Sequence, residues 1–208
     1  MTLSLHSTQV THTEPVVQTQ AAFTDLTAGI EQFITEEELQ SRVGELAWEI
    51  ADDYRKLGVT ANHPLHLVGV LKGVVPFMSD LMRAFPPDLA VSMDFLAITP
   101  YGPDTRRNGG VRVIKDLDDP ITDKHVLLVE DIVDTGLTLA YLMKLIKSRQ
   151  PASVRICTLL DRASVRLIDM RLAYIGFEIP DQFVVGYGLD YKERFRNLPY
   201  IGVMKDQA

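Results

Sequence analysis

The chain has 208 residues, of which 46% are hydrophobic and 24% charged, a balance typical of a soluble globular protein. Its formal net charge of −7 argues against broad nucleic-acid binding, which needs a basic surface. No run reaches the roughly 18 apolar residues of a membrane span. The single cysteine, Cys157, excludes an internal disulfide framework and favours a reducing, cytoplasmic location.

The first 22 residues differ from the rest of the chain in composition. Residues 1–22 are rich in Thr, Gln and Ser and show little periodicity, so we expect a flexible N-terminal tail. Glu14 and Pro15 interrupt this stretch and it has no basic start, which is unlike a signal peptide. Residues 23–208 contain no internal repeat and are expected to form a single domain.

Helical and strand patterns alternate after this tail. A helix is predicted from Thr35, a capping hydroxyl followed by three glutamates, to about Leu57. The later segments are predicted, in chain order, as strand 66–71, helix 75–85, strand 89–98, polar mobile loop 100–110, strand 111–117, strand 126–129, helix 137–147, strand 154–160 and two β-rich pieces within 174–188. This alternation predicts an α/β fold with a mostly parallel sheet, in which ligands bind beyond the carboxyl ends of the strands.

The most informative segment follows the apolar strand 126–129. Glu130 and Asp131 are two adjacent carboxylates, and the loop 134–138 then opens a helix. Such a loop can present backbone N–H groups and two hydroxyls to an anion, and the helix dipole favours negative charge there. Gly136 permits a close backbone approach and a positive φ. The segment therefore predicts a phosphate-binding loop.

The two acids need a separate explanation, because carboxylates repel phosphate. A sugar phosphate would account for them, since the acids could bind its hydroxyl groups or Mg²⁺. The plain alternative is a strand that ends in solvated acids and is followed by a capped helix. The segment is not a P-loop, because the chain contains no Gly-x-x-x-x-Gly-Lys-Ser/Thr.

This segment resembles the phosphoribosyl pyrophosphate motif of type I phosphoribosyltransferases. Leu71-Lys72-Gly73 resembles the pyrophosphate loop of that family, and residues 176–191, followed by Arg196, are very similar to the C-terminal signature of hypoxanthine-guanine phosphoribosyltransferases. The resemblance extends from about Ile30 to Lys205. It implies a type I phosphoribosyltransferase fold, with a mostly parallel central sheet flanked by helices and a small hood formed from chain-terminal segments.

The resemblance also implies an activity in purine salvage. The phosphoribosyl group of phosphoribosyl pyrophosphate would pass to hypoxanthine or guanine with Mg²⁺, giving IMP or GMP and pyrophosphate. Asp134 matches the general base that removes the proton from purine N7. The other residues implied to bind phosphoribosyl pyrophosphate belong to four groups. Leu71, Lys72 and Gly73 form the pyrophosphate loop, which can carry a non-proline cis peptide, and Arg196 also binds the pyrophosphate. Glu130 and Asp131 bind the ribose, Thr135, Gly136, Leu137 and Thr138 bind the 5'-phosphate, and Tyr101 belongs to the lid.

The purine side of the site is implied in the same way. Phe183 matches the residue that stacks on the purine. The backbone of Val184 matches the group that contacts the edge of the purine. Ile132 and Arg162 are expected to line the base. Asp190 matches a Mg²⁺ ligand beside the purine, so the implied metal ligands are Glu130, Asp131 and Asp190.

Two positions depart from the family pattern. Arg162 stands where the family usually has a lysine that donates to purine O6, and the planar guanidinium is larger than an ammonium group. Pro100 precedes Tyr101 where the lid usually has serine, and proline fixes φ and removes an N–H. We therefore expect base preference and lid closure to be the properties in which this chain differs.

Two alternative functions stay open on the sequence. A xanthine-preferring phosphoribosyltransferase is the enzymatic one, and Arg162 makes it more plausible. A non-catalytic regulator that senses nucleotides on the same fold is the other, although the presence of Asp134 disfavours it. The resemblance implies a homodimer or homotetramer, with no membrane or nucleic-acid partner.

Three further side chains have plain structural interpretations. Cys157 is expected in the core of a strand. His66 lies at a strand start without a matching set of metal ligands, so a surface position is expected. Trp48 falls within a predicted helix and is expected to pack.

Overall fold

Helices and strands alternate along residues 27–100 and 111–205, which are the residues that the computed structural model describes. The tail expected over residues 1–22 and the lid residue Tyr101 lie outside these ranges. The elements are, in chain order, β1 Ile30–Ile34, α1 Glu36–Lys56, β2 Leu65–Leu71, α2 Val75–Ala84, β3 Val91–Pro100, β4 Val111–Lys115, β5 His125–Val133, α3 Leu137–Lys147, β6 Ser153–Asp161, a short 3-10 helix Ala163–Val165, β7 Tyr174–Glu178, β8 Val184–Val185 and β9 Ile201–Met204.

The central sheet has six strands in the order β4-β3-β2-β5-β6-β7. All pairs are parallel except β3 with β4, which is antiparallel. The predicted α/β fold with a mostly parallel sheet is therefore confirmed.

Apolar residues cover both faces of this sheet. Along β5, Leu127 and Val129 belong to one core cluster, whereas Val126 and Leu128 belong to the other. One cluster contains the buried residues of α1 and α2, and the other contains those of α3. Burial on both faces explains why this strand is a continuous apolar run rather than an alternating one.

Helix α1 begins as its sequence predicts. The Thr35 hydroxyl accepts a hydrogen bond from Glu38 N at 3.1 Å, and the Glu38 carboxylate accepts one from Thr35 N at 2.8 Å. This reciprocal capping box satisfies two backbone donors that the first turn leaves free. The helix buries Leu39, Val43, Leu46 and Ile50, which recur at helical spacing along one face.

A second, three-stranded antiparallel sheet joins the two ends of the described chain. Its order is β1-β9-β8, and Ile30 of β1 pairs with Met204 of β9. This sheet is the small hood that was expected from chain-terminal segments.

Several predicted details are wrong. Strand β5 continues to Val133 instead of ending at Val129, because its far end pairs with β6, so Glu130 and Asp131 lie within the strand. Pro100 is the last residue of β3 and not the first of a loop. His66 is buried, with Nδ1 2.9 Å from Ser92 Oγ, because β2 is a central strand. Trp48 is 60% exposed, whereas Cys157 is buried as predicted.

None of the helices in the described ranges has the length and apolar character that a membrane crossing requires.

Candidate active site

The carboxyl ends of β2, β5 and β6 meet at one edge of the sheet. Strand β5 lies between the other two and runs parallel to both, so Leu71, Val133 and Asp161 end on the same side. Gly73, just past β2, lies so close to Asp131 that a Cβ at this position would overlap the carboxylate oxygen Oδ2. The predicted pyrophosphate loop and the predicted sugar-binding acids are therefore neighbours. The peptide bond between Leu71 and Lys72 is cis, as the resemblance implied.

Glu130 and Asp131 are carboxylates in an environment that disfavours their charge. Glu130 is only 7% exposed, and burial followed by the nearby charge of Asp131 raises its pKa well above the usual range. Burial also raises the pKa of Asp131 to about 6, although Oδ1 accepts a hydrogen bond from Ile132 N at 2.8 Å. Neither acid forms an ion pair within the described ranges. A cation or sugar hydroxyls bound at this position would offset the free-energy cost of burying these two carboxylates.

The loop after β5 forms a concave pocket. Gly136 has a φ of 80°, in the left-handed region that favours glycine, and it caps the N-terminus of α3. The pocket of about 210 Å³ is lined by Val70, Glu130, Asp131, Ile132, Val133, Asp134, Thr135, Gly136, Thr138 and Leu139. Backbone N–H groups, two threonine hydroxyls and a helix N-terminus are the groups that bind a phosphate.

Asp134 lies against the guanidinium group of Arg162. The distance from Arg162 Nε to Asp134 Oδ1 is 3.1 Å, but the N–H is not directed at the oxygen, so the contact is an ion pair without a hydrogen bond. Burial raises the pKa of Asp134, and the charge of Arg162 only partly opposes this. A carboxylate with a raised pKa is a stronger base than an ordinary aspartate.

Arg162 also contacts the segment that leads to Phe183. Its Nη2 lies 3.2 Å from Asp181 Oδ1, and its Nη1 donates to the carbonyl oxygen of Gln182 at 3.1 Å. One side chain therefore links Asp134 to this segment.

A second pocket, of about 260 Å³, adjoins the phosphate-binding loop. It is lined by Asp131, Ile132, Asp134, Arg162, Phe183, Val184, Leu189, Asp190 and Arg196. The Phe183 ring is 40% exposed and meets Tyr191 edge-on, with ring centroids 5.8 Å apart. All five residues expected to contact the purine line this pocket, and so does Asp134, the candidate general base. An exposed aromatic face beside polar groups suits a flat heterocycle.

Ion pairs order the C-terminal segment, and one of them ties it to the pyrophosphate loop. Arg196 Nη2 lies 2.7 Å from Asp190 Oδ1, and Arg196 Nη1 donates to the carbonyl oxygen of Gly188 at 2.8 Å. Lys72 Nζ lies 3.1 Å from Glu193 Oε2. Arg196 also lines the same pocket as Asp131.

One pair that supports this site, Arg166 and Asp161, was not among the residues predicted for it. Arg166 Nε donates to the carbonyl oxygen of Asp134 at 2.8 Å, Nη2 donates to that of Val133, and the guanidinium pairs with Asp161. Both side chains are largely buried. The position of Asp161 at the carboxyl end of an apolar strand was the available signal, because Glu130 and Asp131 follow an apolar run in the same way.

Comparison with known proteins agrees with this geometry. Residues 31–192 match the family model described as phosphoribosyl transferase domain. The hypoxanthine-guanine phosphoribosyltransferase of Bacillus subtilis is 48% identical over 172 residues, which are 83% of this chain and 91% of that protein. The enzyme of the same name from Mycobacterium tuberculosis is 47% identical over 171 residues, 82% of this chain and 84% of that protein.

The chain belongs to the phosphoribosyltransferase family. It is an enzyme of that family, and its curated relatives carry the name hypoxanthine-guanine phosphoribosyltransferase. A solved hypoxanthine phosphoribosyltransferase from Staphylococcus aureus matches with a TM-score of 0.80 and 42% identity, covering 89% of this chain and 97% of the other. The match to the family model spans the candidate site residues from Leu71 to Asp190, and Arg196 lies four residues beyond it.

The donor set at this edge fits Mg²⁺ bound together with a substrate. In the part of the chain that the structure describes, no three Asp, Glu, His or Cys side chains converge as a metal site. Mg²⁺ is commonly held by one or two carboxylates, with phosphate oxygens and water completing the shell. Glu130 and Asp131, whose pKa values burial raises, are two such carboxylates, and Asp190 lines the same pocket as Asp131.

Proposed function

We propose that this phosphoribosyltransferase transfers the phosphoribosyl group of phosphoribosyl pyrophosphate to N9 of hypoxanthine or guanine, giving IMP or GMP and pyrophosphate. The observation that carries the proposal is the position of Asp134, which lines both the phosphate-binding pocket and the pocket with Phe183 and Arg162. One carboxylate can therefore reach a base and a sugar phosphate bound side by side. The names of the relatives support the choice of 6-oxopurines.

Asp134 acts as the general base in this proposal. It accepts the proton of purine N7 as the bond from N9 to the anomeric carbon forms, a role often worth about 10²–10⁴ in rate. Its raised pKa, a result of burial, increases its affinity for that proton. Arg166 donates a hydrogen bond to the carbonyl oxygen of Asp134 and so fixes the position of this general base.

The remaining residues position the two substrates. Residues 134–138 bind the 5'-phosphate, and Glu130 and Asp131 bind the ribose hydroxyls. Phe183 stacks on the purine, the Val184 backbone contacts its edge, Ile132 packs beside it, and Arg162 donates to O6. Tyr101, the residue expected to exclude water from the reacting carbon, lies outside the residues that the structure describes.

Negative charge builds on pyrophosphate as its bond to the anomeric carbon breaks. Arg196 and the backbone of residues 71–73 stabilise this charge by donating to the phosphate oxygens. Mg²⁺ would supply a further positive charge there, held by one or two of the implied carboxylates Glu130, Asp131 and Asp190 together with substrate oxygens and water.

A xanthine preference is the second candidate, and Arg162 is the observation that favours it. Xanthine carries an additional carbonyl, and a guanidinium offers more N–H donors than an ammonium group.

We also propose that the enzyme acts in the cytoplasm as a homodimer or homotetramer, with residues 23–208 as its single domain. Sedimentation of the purified chain tests the oligomeric state.

Release of pyrophosphate on mixing the protein with phosphoribosyl pyrophosphate, Mg²⁺ and hypoxanthine tests the proposal. We expect one IMP per pyrophosphate, and no product when Mg²⁺ is chelated. If the protein binds phosphoribosyl pyrophosphate but forms no product with any oxopurine, the proposed salvage activity is wrong, and the nucleotide-sensing regulator becomes the favoured function.

A further inference from the structure

A groove separate from the candidate active site lies between α3, β6 and the segment before β7. Its volume is about 690 Å³, against about 210 and 260 Å³ for the two pockets of the candidate active site. Strand β7 first pairs with β6 at Cys157, so the first four residues of β6 extend beyond that pairing, and the groove opens there. A groove of this size can hold a nucleotide-sized molecule.

The walls of the groove combine an apolar floor with a basic rim. Ala140, Met143, Lys144 and Lys147 recur at helical spacing and lie on one face of α3. The opposite wall and the floor are formed by Val154, Ile156, Ile168, Met170, Arg171 and Ala173. The groove can therefore contact both an anionic group and an apolar or aromatic body.

Three cations of the rim have no carboxylate partner among the described residues. They are Lys144, Lys147 and Arg171, whereas Arg155 is neutralised by Asp53, with Nη1 2.6 Å from Oδ2. The dipole of α3 favours lysines in its last turn, but it gives no such stabilisation to Arg171 on the facing segment. Asp169 is the other acid of the groove, so the rim keeps an excess of positive charge in a protein of net charge −7.

The groove shares a wall with the phosphate-binding loop. Leu167 N and Ile168 N both donate to the carbonyl oxygen of Thr135, at 3.0 and 3.1 Å. The Met170 side chain packs against Gly136, where a Cβ would lie 3.2 Å from Met170 Cε. A ligand that orders residues 168–171 from the groove side would therefore restrict the loop on the other side.

We propose that this groove is a regulatory site for an organic phosphate of nucleotide size, whose phosphates contact Lys144, Lys147 and Arg171 and whose base packs on Met143, Ile168 and Met170. The acidic surface of the rest of the chain disfavours a long polyanion, whereas a small ligand meets only the basic rim. This inference goes beyond the proposed reaction and does not depend on it.

The test uses ATP as the probe, because its 6-amino purine suits the oxopurine pocket poorly. ATP is titrated by calorimetry into the full-length protein saturated with IMP, for the wild type, Lys144→Glu/Lys147→Glu and the control Arg83→Glu. Arg83 is 76% exposed on α2, away from the groove. We expect ATP binding that the double variant weakens by at least about tenfold, because two charge-assisted contacts to the phosphates are lost, and that the control leaves within about twofold.

Hydrogen exchange at the Leu167 and Ile168 amides provides a second readout. ATP should slow this exchange in the wild type and not in the double variant. The proposal is overturned by an absence of ATP binding at millimolar concentration, by equal affinity in the double variant, or by mutually exclusive binding of ATP and IMP. Hypoxanthine turnover is measured separately, so that loss of the regulatory site is distinguishable from failure of the proposed reaction.

Discussion

The guanidinium of Arg162 lies against the carboxylate of Asp134, with Nε 3.1 Å from Oδ1, and it holds Asp181 and the Gln182 carbonyl at the same time. A lysine at this position has one charged nitrogen and could not make these contacts in the same planar arrangement. The side chain that departs from the family pattern is therefore in direct contact with the candidate general base. Its effect on catalysis and its effect on base choice need separate tests.

Asp134→Asn should lower kcat about 10²–10⁴-fold, because the amide cannot accept the N7 proton. The amide is close in size to the carboxylate, so the thermal unfolding temperature should change little. Steady-state kinetics and a melting curve on the same preparation check both expectations. Near-normal turnover would contradict the assignment of the general base.

Arg162→Ala should weaken binding of the oxopurine more than binding of phosphoribosyl pyrophosphate, since Arg162 lines the purine pocket and not the phosphate-binding loop. Dissociation constants for both substrates measure the effect, and we expect the larger loss, about tenfold or more, for the base. Arg162→Lys is the matched control, because it restores a donor and a charge. Equal losses for the two substrates would argue against a contact with purine O6.

Asp131→Asn should stabilise the free protein at neutral pH. Burial raises the pKa of Asp131 to about 6, so its carboxylate is less stable in the folded than in the unfolded state. The cost is absent below the ordinary aspartate pKa of about 4, grows as the pH rises to about 6, and is constant above that. We expect a gain of about 1–2 kcal/mol at pH 7.5, below the roughly 3 kcal/mol of the full shift, because the side chain retains some solvent access.

Urea unfolding of wild type and Asp131→Asn at several pH values, without Mg²⁺ or substrate, measures this difference. The exposed Asp119→Asn is the control for loss of one surface charge. The gain from Asp131→Asn should shrink as the pH falls towards 4. A variant that is less stable than the wild type at pH 7.5 would contradict the account of the buried acids.

Gly73→Ala should reduce activity with little loss of stability. A Cβ at Gly73 would overlap Oδ2 of Asp131, so the acid must turn away from the sugar site. We expect kcat/KM for phosphoribosyl pyrophosphate to fall about tenfold or more. Gly44→Ala is the matched control: it lies inside α1, a Cβ there would meet nothing within 4 Å beyond its own turn of the helix, and alanine favours helix by about 0.5–1 kcal/mol. Equal activity of the two variants would show that Gly73 imposes no such constraint.

Local patterns predicted much of the fold, whereas most of the residues that line the two pockets were named from the family resemblance. The apolar run 126–129 predicted a buried strand, and this prediction succeeded because two core clusters cover the two faces of β5. The segment around Asp134 was expected at the carboxyl edge of the sheet because the ends of parallel strands share one edge, and it follows β5 there. Trp48 shows the limit of this reasoning: it lies in α1 but away from the stripe of Leu46 and Ile50, and so stays exposed.

Contacts between distant segments were beyond prediction from a single sequence. The pairing of Ile30 with Met204 depends on where the whole sheet brings the chain ends. The contact of Arg166 with the Asp134 carbonyl depends on the path of the segment after β6, and the pattern of that segment gave no sign of it. For the same reason the sequence could not show that Arg162 contacts Asp134.

The central claim is that this enzyme acts on 6-oxopurines, and kcat/KM for hypoxanthine, guanine, xanthine and adenine with phosphoribosyl pyrophosphate and Mg²⁺ tests it most directly. We predict efficient turnover of hypoxanthine or guanine and at least about 100-fold less of adenine, because Arg162 donates hydrogen bonds and cannot accept one from a 6-amino group. Adenine used as well as hypoxanthine, or no turnover of any of the four bases, would contradict the claim.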